Sequence, residues 1–435
     1  MAQTTNVADR RRAALERLGH DDRVAPIRPR RQSTRARSGT RDRKRARRPS
    51  IGPAAPPIEG PPPGVWYGIC VVTAVFVMLG LVMVLSASAV TEASRGNWAY
   101  SVFFRQAMWA GLGLLGLMIA ARVPYTFWRR LSIPMAVLGV AAMLLPFAPV
   151  VGSTVNGARA WVRYGGVSGQ PSELLKLVAV IVTADLLARR TQILNHRRRT
   201  LLPLAGIAAV ASGLSMAQGD LGSAIVLASI VLSIAWIAGI PFMPLAAMAS
   251  AATGAGLLAI MSSQARLDRF TAFLDVAGNK DRSAWQVYQG FVSIASGGMS
   301  GSGIGGSNTK LGYLPYAHSD FIFAIIADEL GMLGSVAVIG GFVVFVVFGI
   351  QTALAAPDRF GMLVAGGVAS WFGVQALVNV GGVTGLMPVT GLTLPFFSAG
   401  GSSLFVSMVA VGLLLSVARR IGSTAPRAST TRGAS

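Results

Sequence analysis

Glu173 and Lys176 stand three residues apart in the run Gln170-Pro171-Ser172-Glu173-Leu174-Leu175-Lys176. Pro171 suits the first turn of a helix, and the spacing puts acid and base on one helical face. Both open an apolar run, where ionisable groups are costly and usually line a cavity; an ion pair that merely fixes the helix is the competing reading. A second polar set fills residues 262–320: Arg266 and Arg269, then Asp275, Asp281 and Arg282, Trp285-Gln286, a glycine-rich stretch over 297–306, and Lys310 through His318, Ser319 and Asp320. No strand is expected before these glycines, so they read as flexible turns rather than a phosphate-binding fingerprint. A histidine's ordinary pKa lets His318 serve as a titrating group near neutrality, but alone before a helix it reads as a hydrogen-bonding loop residue. Ser319 or Asp320 is expected to cap the helix that follows. Asp328 and Glu329, two turns further in, need a partner or water. The third set is Asn379–Ser403, where Pro388, Pro395 and repeated glycines interrupt apolar sequence. Irregular backbone at membrane depth must be buried in protein or line a water-filled cavity, so this stretch is expected to be re-entrant.

The elements that position these residues follow from hydropathy. Only 13% of the 435 residues are charged and 52% are hydrophobic, with a mean hydropathy of +0.56, whereas a soluble domain carries about 25% charged residues. Apolar runs long enough to cross about 30 Å of hydrocarbon fall near 66–86, 104–121, 132–150, 171–188, 201–217, 221–239, 242–261, 321–350, 361–383 and 402–418. They predict an all-α membrane protein, a polytopic bundle of about ten transmembrane helices. Basic residues gather between alternate runs, at Arg122, Arg129 and Arg130, at Arg189, Arg190 and Arg197–Arg199, at Arg359, and at Arg419 and Arg420. With ten spans these loops share the cytoplasmic side with both termini, in a multi-pass plasma-membrane protein. The loops near 87–103, 151–170, 262–320 and 384–401 then face outward. The third, between spans seven and eight, is far longer than compact connections need.

Half of the net charge of +22 sits in residues 1–50, with 16 Lys/Arg against 5 Asp/Glu. That concentration argues against nucleic acid as a partner. Residues 1–64 are expected to be a disordered, basic, Pro-rich cytoplasmic tail, drawn to anionic membrane lipids by about 1 kcal/mol per basic residue near the surface. Residues 65–420 form the membrane domain and 421–435 a short cytoplasmic tail. The first apolar run begins near Val65, too far along for a cleaved signal peptide. A single cysteine, Cys70, leaves no intramolecular disulfide and no Cys-based metal site.

Four stretches, Asn156–Trp161, Gln170–Lys176, Leu314–Gly331 and Pro388–Ser403, resemble the hallmark motifs of the SEDS family (shape, elongation, division and sporulation; FtsW, RodA and SpoVE), as do Ser86-Ala87-Ser88, Arg105-Gln106 and Gln218–Ser223. The similarity spans roughly residues 65–420, and Pro388–Pro395 is nearer the FtsW pattern than the RodA one. Ala399 before the glycine pair is similar to actinobacterial members. The resemblance implies a peptidoglycan glycosyltransferase that polymerises lipid II at the outer leaflet during septal synthesis. Its implied partners are a class B penicillin-binding transpeptidase and other divisome membrane proteins, and its implied place of action is the division septum. In that chemistry a sugar 4-hydroxyl attacks the anomeric carbon of a lipid-pyrophosphate-linked sugar with inversion, so one carboxylate must accept a proton and cations must stabilise the leaving pyrophosphate. The family's key acid lies in an Asp-Pro-x-Gly-x-Gly-Tyr-Gln-like pattern, which maps to Asp281, with Asp275 in reserve. Here Arg282 replaces the Pro, Trp285 replaces the Tyr, and the spacing to Gln286 is two residues shorter; Gly219 stands where the family usually has Pro. Arg159, Lys176, Arg266 and Arg269 are the expected anion-stabilising cations. Glu173, Lys310, His318, Ser398, Gly400, Gly401 and Ser402 complete the expected substrate-binding set. No cofactor is expected beyond a divalent cation, Mg2+ or Mn2+, as an option. A transporter (flippase) of lipid-linked precursor and a non-catalytic scaffold for a transpeptidase are the alternatives.

Overall fold

The structure is a computed structural model, and it describes residues 63–155, 157–165, 167–307, 314 and 317–421. The N-terminal tail, the C-terminal tail and Lys310 lie outside the described residues. Each of the ten apolar runs falls on a helix: α1 Gly64–Ser94, α2 Ser101–Arg122, then, after a short α3 (Tyr125–Arg130), α4 Ser132–Leu144, α5 Pro171–Ala188, α6 Leu202–Ala217, α7 Leu221–Ile237 and α8 Phe242–Met261. Two loop helices follow, α9 Gln264–Leu274 and α10 Trp285–Gly297, and then α11 Ile322–Leu354, α12 Arg359–Val383 and α13 Gly401–Ile421. Among the described residues seven helices, those containing α1, α2, α6, α8, α11, α12 and α13, are long and apolar enough to cross a membrane. The segment containing α4, like α7, is apolar but shorter, and α5 carries Glu173, Lys176 and Asp185 among its apolar residues. The chain is an all-α polytopic membrane protein.

Helices α5, α7, α12 and α13 make the interior, with Val180, Ile234, Trp371 and Leu414 all fully buried. Helices α1, α2 and α8 keep large side chains such as Val71, Leu115 and Met243 exposed. That is the pattern of inner helices packed on each other and outer helices that meet lipid, where small residues let backbones approach. Gly412 of α13 is one such point, because a Cβ there would strike the Leu117 carbonyl of α2.

Three departures from the sequence reading bear on the site. Residues 151–170, expected as a plain loop, fold into a three-stranded antiparallel sheet in the order β1 (Gly152–Val155), β2 (Ala158–Tyr164), β3 (Val167–Gly169). The loop 262–320 is partly helical. Finally, the eighth run is not one straight span. Helix α11 breaks at Gly331 (φ 68°, ψ −166°), leaving a short, almost wholly buried half-helix, Ile322 to Leu330, ahead of a long outer helix. The glycines of 297–306 are not loose turns. A Cβ on Gly297 would strike the Ala327 carbonyl and one on Gly301 the Glu329 carbonyl. The backbone N–H groups of Ser302 and Gly303 donate to the carbonyls of Asp328 (2.9 Å) and Glu329 (3.0 Å). The loop thus satisfies the open carbonyls at the end of the half-helix.

Candidate active site

A cavity of about 580 Å³ opens among the β1–β2 hairpin, the start of α5, the α6–α7 turn, α9, the start of α10, Ser319-Asp320 and the segment Met387–Thr393. Its size suits a small-molecule site.

The α5 side of the wall behaves as its spacing predicts. Pro171 occupies the first turn of the helix, and Lys176 Nζ donates to Glu173 Oε1 at 2.9 Å, both side chains being buried. Lys176 also donates to Gln375 Oε1 at 3.1 Å, which takes a second hydrogen bond from Trp371 Nε1. Glu173 Oε2 is buried without a hydrogen-bond partner among the described residues. At the next turn Asp220 is fully engaged: Oδ1 caps α7 by accepting from the Ser223 N–H (2.9 Å), and Oδ2 accepts from Gln170 Nε2 (2.7 Å) and Ser172 Oγ (3.2 Å). Gly219, at φ +85°, sits against Ala158 of the hairpin, and the Arg159 N–H donates to the Gln218 carbonyl at 2.8 Å.

The opposite wall is the re-entrant segment the prolines announced. Helix α12 ends at Val383, and residues 388–395 run irregularly, Leu394 to Ser398 being buried, to the start of α13. Gln375 Nε2 donates to the Thr393 carbonyl (2.9 Å) and Asn379 Nδ2 to the carbonyls of Leu392 (2.7 Å) and Asp320 (3.0 Å). The three consecutive carbonyls of residues 318–320 are clamped here, since that of Ser319 accepts from Ser398 Oγ (2.6 Å) and that of His318 from the Ala399 N–H (2.8 Å). Asp320 is therefore not a helix cap: Phe321 holds the cap position without a side-chain bond, and the Asp320 carboxylate lines the cavity instead. Burial pushes its pKa up to about 6, against the opposing pull of the Ser319 hydrogen bond and of Arg269; Asp220 adds to the rise. Burial likewise lowers the His318 pKa.

Of the expected site residues, Glu173, Arg266 and Arg269 line the cavity. Arg266 Nη1 donates to the Ala259 carbonyl at 2.8 Å, and the Arg269 guanidinium acts on Asp320. Lys176 stands behind Glu173. Asp281 is exposed on the Asn279–Ala284 turn, two residues before Ser283, which does line the cavity. Asp275 is also exposed and accepts from the Gly278 N–H at 2.8 Å, closing a local turn. Arg159 points away from the cavity and pins the hairpin to the carbonyls of Pro146 (3.0 Å) and Phe147 (3.2 Å). Ser398 is a buried clasp, Ser402 Oγ accepts from the Gln170 N–H at 3.1 Å, and Gly400 and Gly401 pack on Thr393 and Trp109. His318 contributes its carbonyl to the clamp. Asp320 was the residue the sequence hid; its one signal is that no Glu or Gln stands three residues on, where a capping box would need it. Asp328 accepts from Ser307 Oγ (2.6 Å) and Glu329 from Ser86 Oγ (2.6 and 2.8 Å), outside this cavity. Among the described residues no three His, Cys, Asp or Glu side chains come together in a group that could hold a metal ion.

The family described as cell cycle protein, FtsW/RodA/SpoVE, matches residues 67–422. Probable peptidoglycan glycosyltransferase FtsW of Coxiella burnetii is 34% identical over 357 residues, covering 81% of this chain and 95% of that one. The corresponding Mycobacterium tuberculosis protein is 36% identical over 365 residues, 82% of this chain and 70% of that one. Stage V sporulation protein E of Bacillus subtilis is 35% identical over 351 residues, 81% and 96% of the two chains. Among solved structures, a chain of a peptidoglycan synthase complex that coordinates polymerization and crosslinking superposes with a TM-score of 0.67 at 29% identity, over 82% of this chain and 98% of that one. Thermus thermophilus RodA superposes with a TM-score of 0.60 at 28% identity, over 81% and 96%. The matched range 67–422 includes the hairpin, the α5 ion pair, α11 and the re-entrant wall, and the chain belongs to the FtsW/RodA/SpoVE family.

Proposed function

We propose that this protein is a peptidoglycan glycosyltransferase that polymerises lipid II into glycan strands by inverting transfer at the outer leaflet, in septal cell-wall synthesis. The observation that carries the reading is a carboxylate and an arginine, Asp320 and Arg269, on the wall of one cavity, in a chain 34% identical to a protein named as such a transferase. The cavity is built from connections that the basic-residue pattern assigns to the outer side, where a lipid-linked sugar would be presented. Arg269, with Arg266 beside it, meets the pyrophosphate as charge develops on it. Glu173 and Lys176 hold the α5 wall in place. A cross-linking partner follows from the synthase complex this chain resembles, and a class B penicillin-binding transpeptidase fits that role. Both termini lie in the cytoplasm on this reading, with the basic tail on anionic lipid.

The test is polymerisation of fluorescent lipid II by the purified full chain, alone and with its transpeptidase, resolved as glycan ladders. Ladders are expected. Their absence in every condition, with the protein folded, would leave a scaffold, and passage of lipid II across sealed vesicles without ladders would leave a transporter.

A further inference from the structure

We propose that Asp328, which lies outside the cavity, is a positioning residue: through α10 it sets where Asp281 and the residues after it stand at the cavity mouth. The assignment rests on the polymerase reading and on Asp281 as the loop acid that the family resemblance implies. The turn carrying Asp281 is held by local bonds, the N–H groups of Arg282 (3.0 Å) and Ala284 (3.1 Å) donating to the Asn279 carbonyl. Such bonds fix the shape of the turn. Its place is set by α10, which begins at Trp285 and brings Gln286 and Val287 to the cavity wall.

Helix α10 is in turn held by the half-helix Ile322–Leu330. Gly290, Ser293 and Gly297 recur at steps of three and four residues, so they share one face of α10, and that face meets the half-helix. A Cβ on Gly290 would strike the Phe321 ring, just as one on Gly297 would strike the Ala327 carbonyl. Between them Ser293 Oγ donates to the Ala324 carbonyl at 3.2 Å, with Asp328 Oδ2 as second acceptor at 3.4 Å. The same Oδ2 accepts from Ser307 Oγ at 2.6 Å, and the Asp328 carbonyl accepts from the Ser302 N–H (2.9 Å) and hydroxyl (3.1 Å). One side chain, 2% exposed, thus joins α10, the glycine loop and the half-helix. Past the Gly331 break, the Met332 and Leu333 N–H groups donate to the carbonyls of Gly298 (2.9 Å) and Met299 (3.3 Å), so the end of α10 is stitched on both sides of that break. A buried carboxylate is costly unless hydrogen-bonded, but its directional bonds fix the register of α10 where apolar contact, in competition with lipid, does not. Ser293 stands about 12 Å along the helix from Trp285, so a tilt at the Asp328 end is carried to the Asp281 end. Misplacing a reacting group by ~1 Å costs ~100-fold in rate.

The experiment pairs steady-state lipid II polymerisation by the full chain with backbone hydrogen exchange read by mass spectrometry. Asp328→Ala should lower kcat by ~30–100-fold with KM within ~3-fold of wild type. Exchange should rise in peptides spanning 279–297 and stay unchanged in α12 and α13. Asp328→Asn keeps an oxygen that accepts from Ser307, so it should return to within ~5-fold of wild-type kcat and restore the protection. If Asp328→Ala does not fold, Ser307→Ala decides: it should lower kcat by ~3–10-fold with the same local loss of protection. Wild-type kcat in Asp328→Ala, or in Ser307→Ala where that variant decides, overturns the assignment. So does a fall in kcat with exchange over 279–297 unmoved, and so does Asp328→Asn as slow as Asp328→Ala, which would show that charge and not placement matters. The exchange arm reads without turnover, so absence of polymer from folded wild type would sink the polymerase reading and leave the α10 anchor to be judged separately.

Discussion

Replacing Lys176 by Met tests whether the α5 wall is held by charge or by packing. Lys176 is fully buried and spends its ammonium on Glu173 (2.9 Å) and Gln375 (3.1 Å). Gln375 Oε1 keeps the Trp371 donor when the lysine goes, so the loss concentrates on Glu173. That carboxylate is 2% exposed and its other oxygen already lacks a partner among the described residues. Breaking a buried pair by removing one member costs ~3–5 kcal/mol, whereas replacing both members by neutral groups of similar size is near neutral. Lys176→Met should therefore destabilise by ~3–5 kcal/mol. Glu173→Gln should cost less, because its amide oxygen and Gln375 still accept from the ammonium. The double variant should recover at least ~2 kcal/mol relative to the sum of the singles. SDS-titration unfolding of purified protein, read by intrinsic fluorescence, gives all three values. Additive singles, or Lys176→Met below ~1 kcal/mol, would show that the pair carries no net charge coupling.

Three further outcomes follow from the geometry. Gly331→Ala should destabilise by ~3 kcal/mol, because a side chain at φ 68°, ψ −166° is strained and its Cβ would strike the Gly301 N–H and the Met299 carbonyl; limited proteolysis should then cut within 298–306. Arg269→Ala should lower kcat by ~100-fold with a smaller change in KM, since it acts on charge present in the transition state; a pure KM effect in steady-state polymerisation would assign it to ground-state binding. Asp185→Asn should cost only ~1–2 kcal/mol in the same unfolding assay, because Asp185 accepts from Arg129 (2.9 Å), Arg189 (2.6 Å) and Ser132 (2.7 Å) but both arginines are substantially exposed.

The helices were legible because lipid removes every alternative way to satisfy a backbone, so length and hydropathy suffice. The Glu173–Lys176 pair was legible for the same local reason, a three-residue spacing read on one turn. Pro388 and Pro395 declared the re-entrant wall. What stayed hidden depends on contacts between distant segments. The hairpin at 152–169 pairs short strands whose register hangs on the Gln218 carbonyl, 59 residues away from Arg159 by numbering. The break at Gly331 follows from the approach of Gly297–Gly301, which no periodicity records. Asp320 looked like a cap because Ser and Asp before an apolar run usually are; its true place is set by Asn379 and Ser398, on the far side of the sequence.

These long-range bonds share one geometry, and it suggests why so much polar chemistry is buried so deep. The ladder from Glu173 through Lys176 and Gln375 to Thr393 crosses from α5 to α12 to the re-entrant segment without a gap. Asn379, one helical turn on, ties the same segment to Asp320. A lipid-facing bundle gains little from apolar contact alone to fix the position of an irregular strand, because lipid competes on equal terms. Directional hydrogen bonds do fix it, and here they set the distance between the α5 wall and the Asp320 wall. Substitutions at Gln375 or Asn379 should thus alter turnover by displacing the re-entrant wall from the α5 wall, while leaving the helices around them folded.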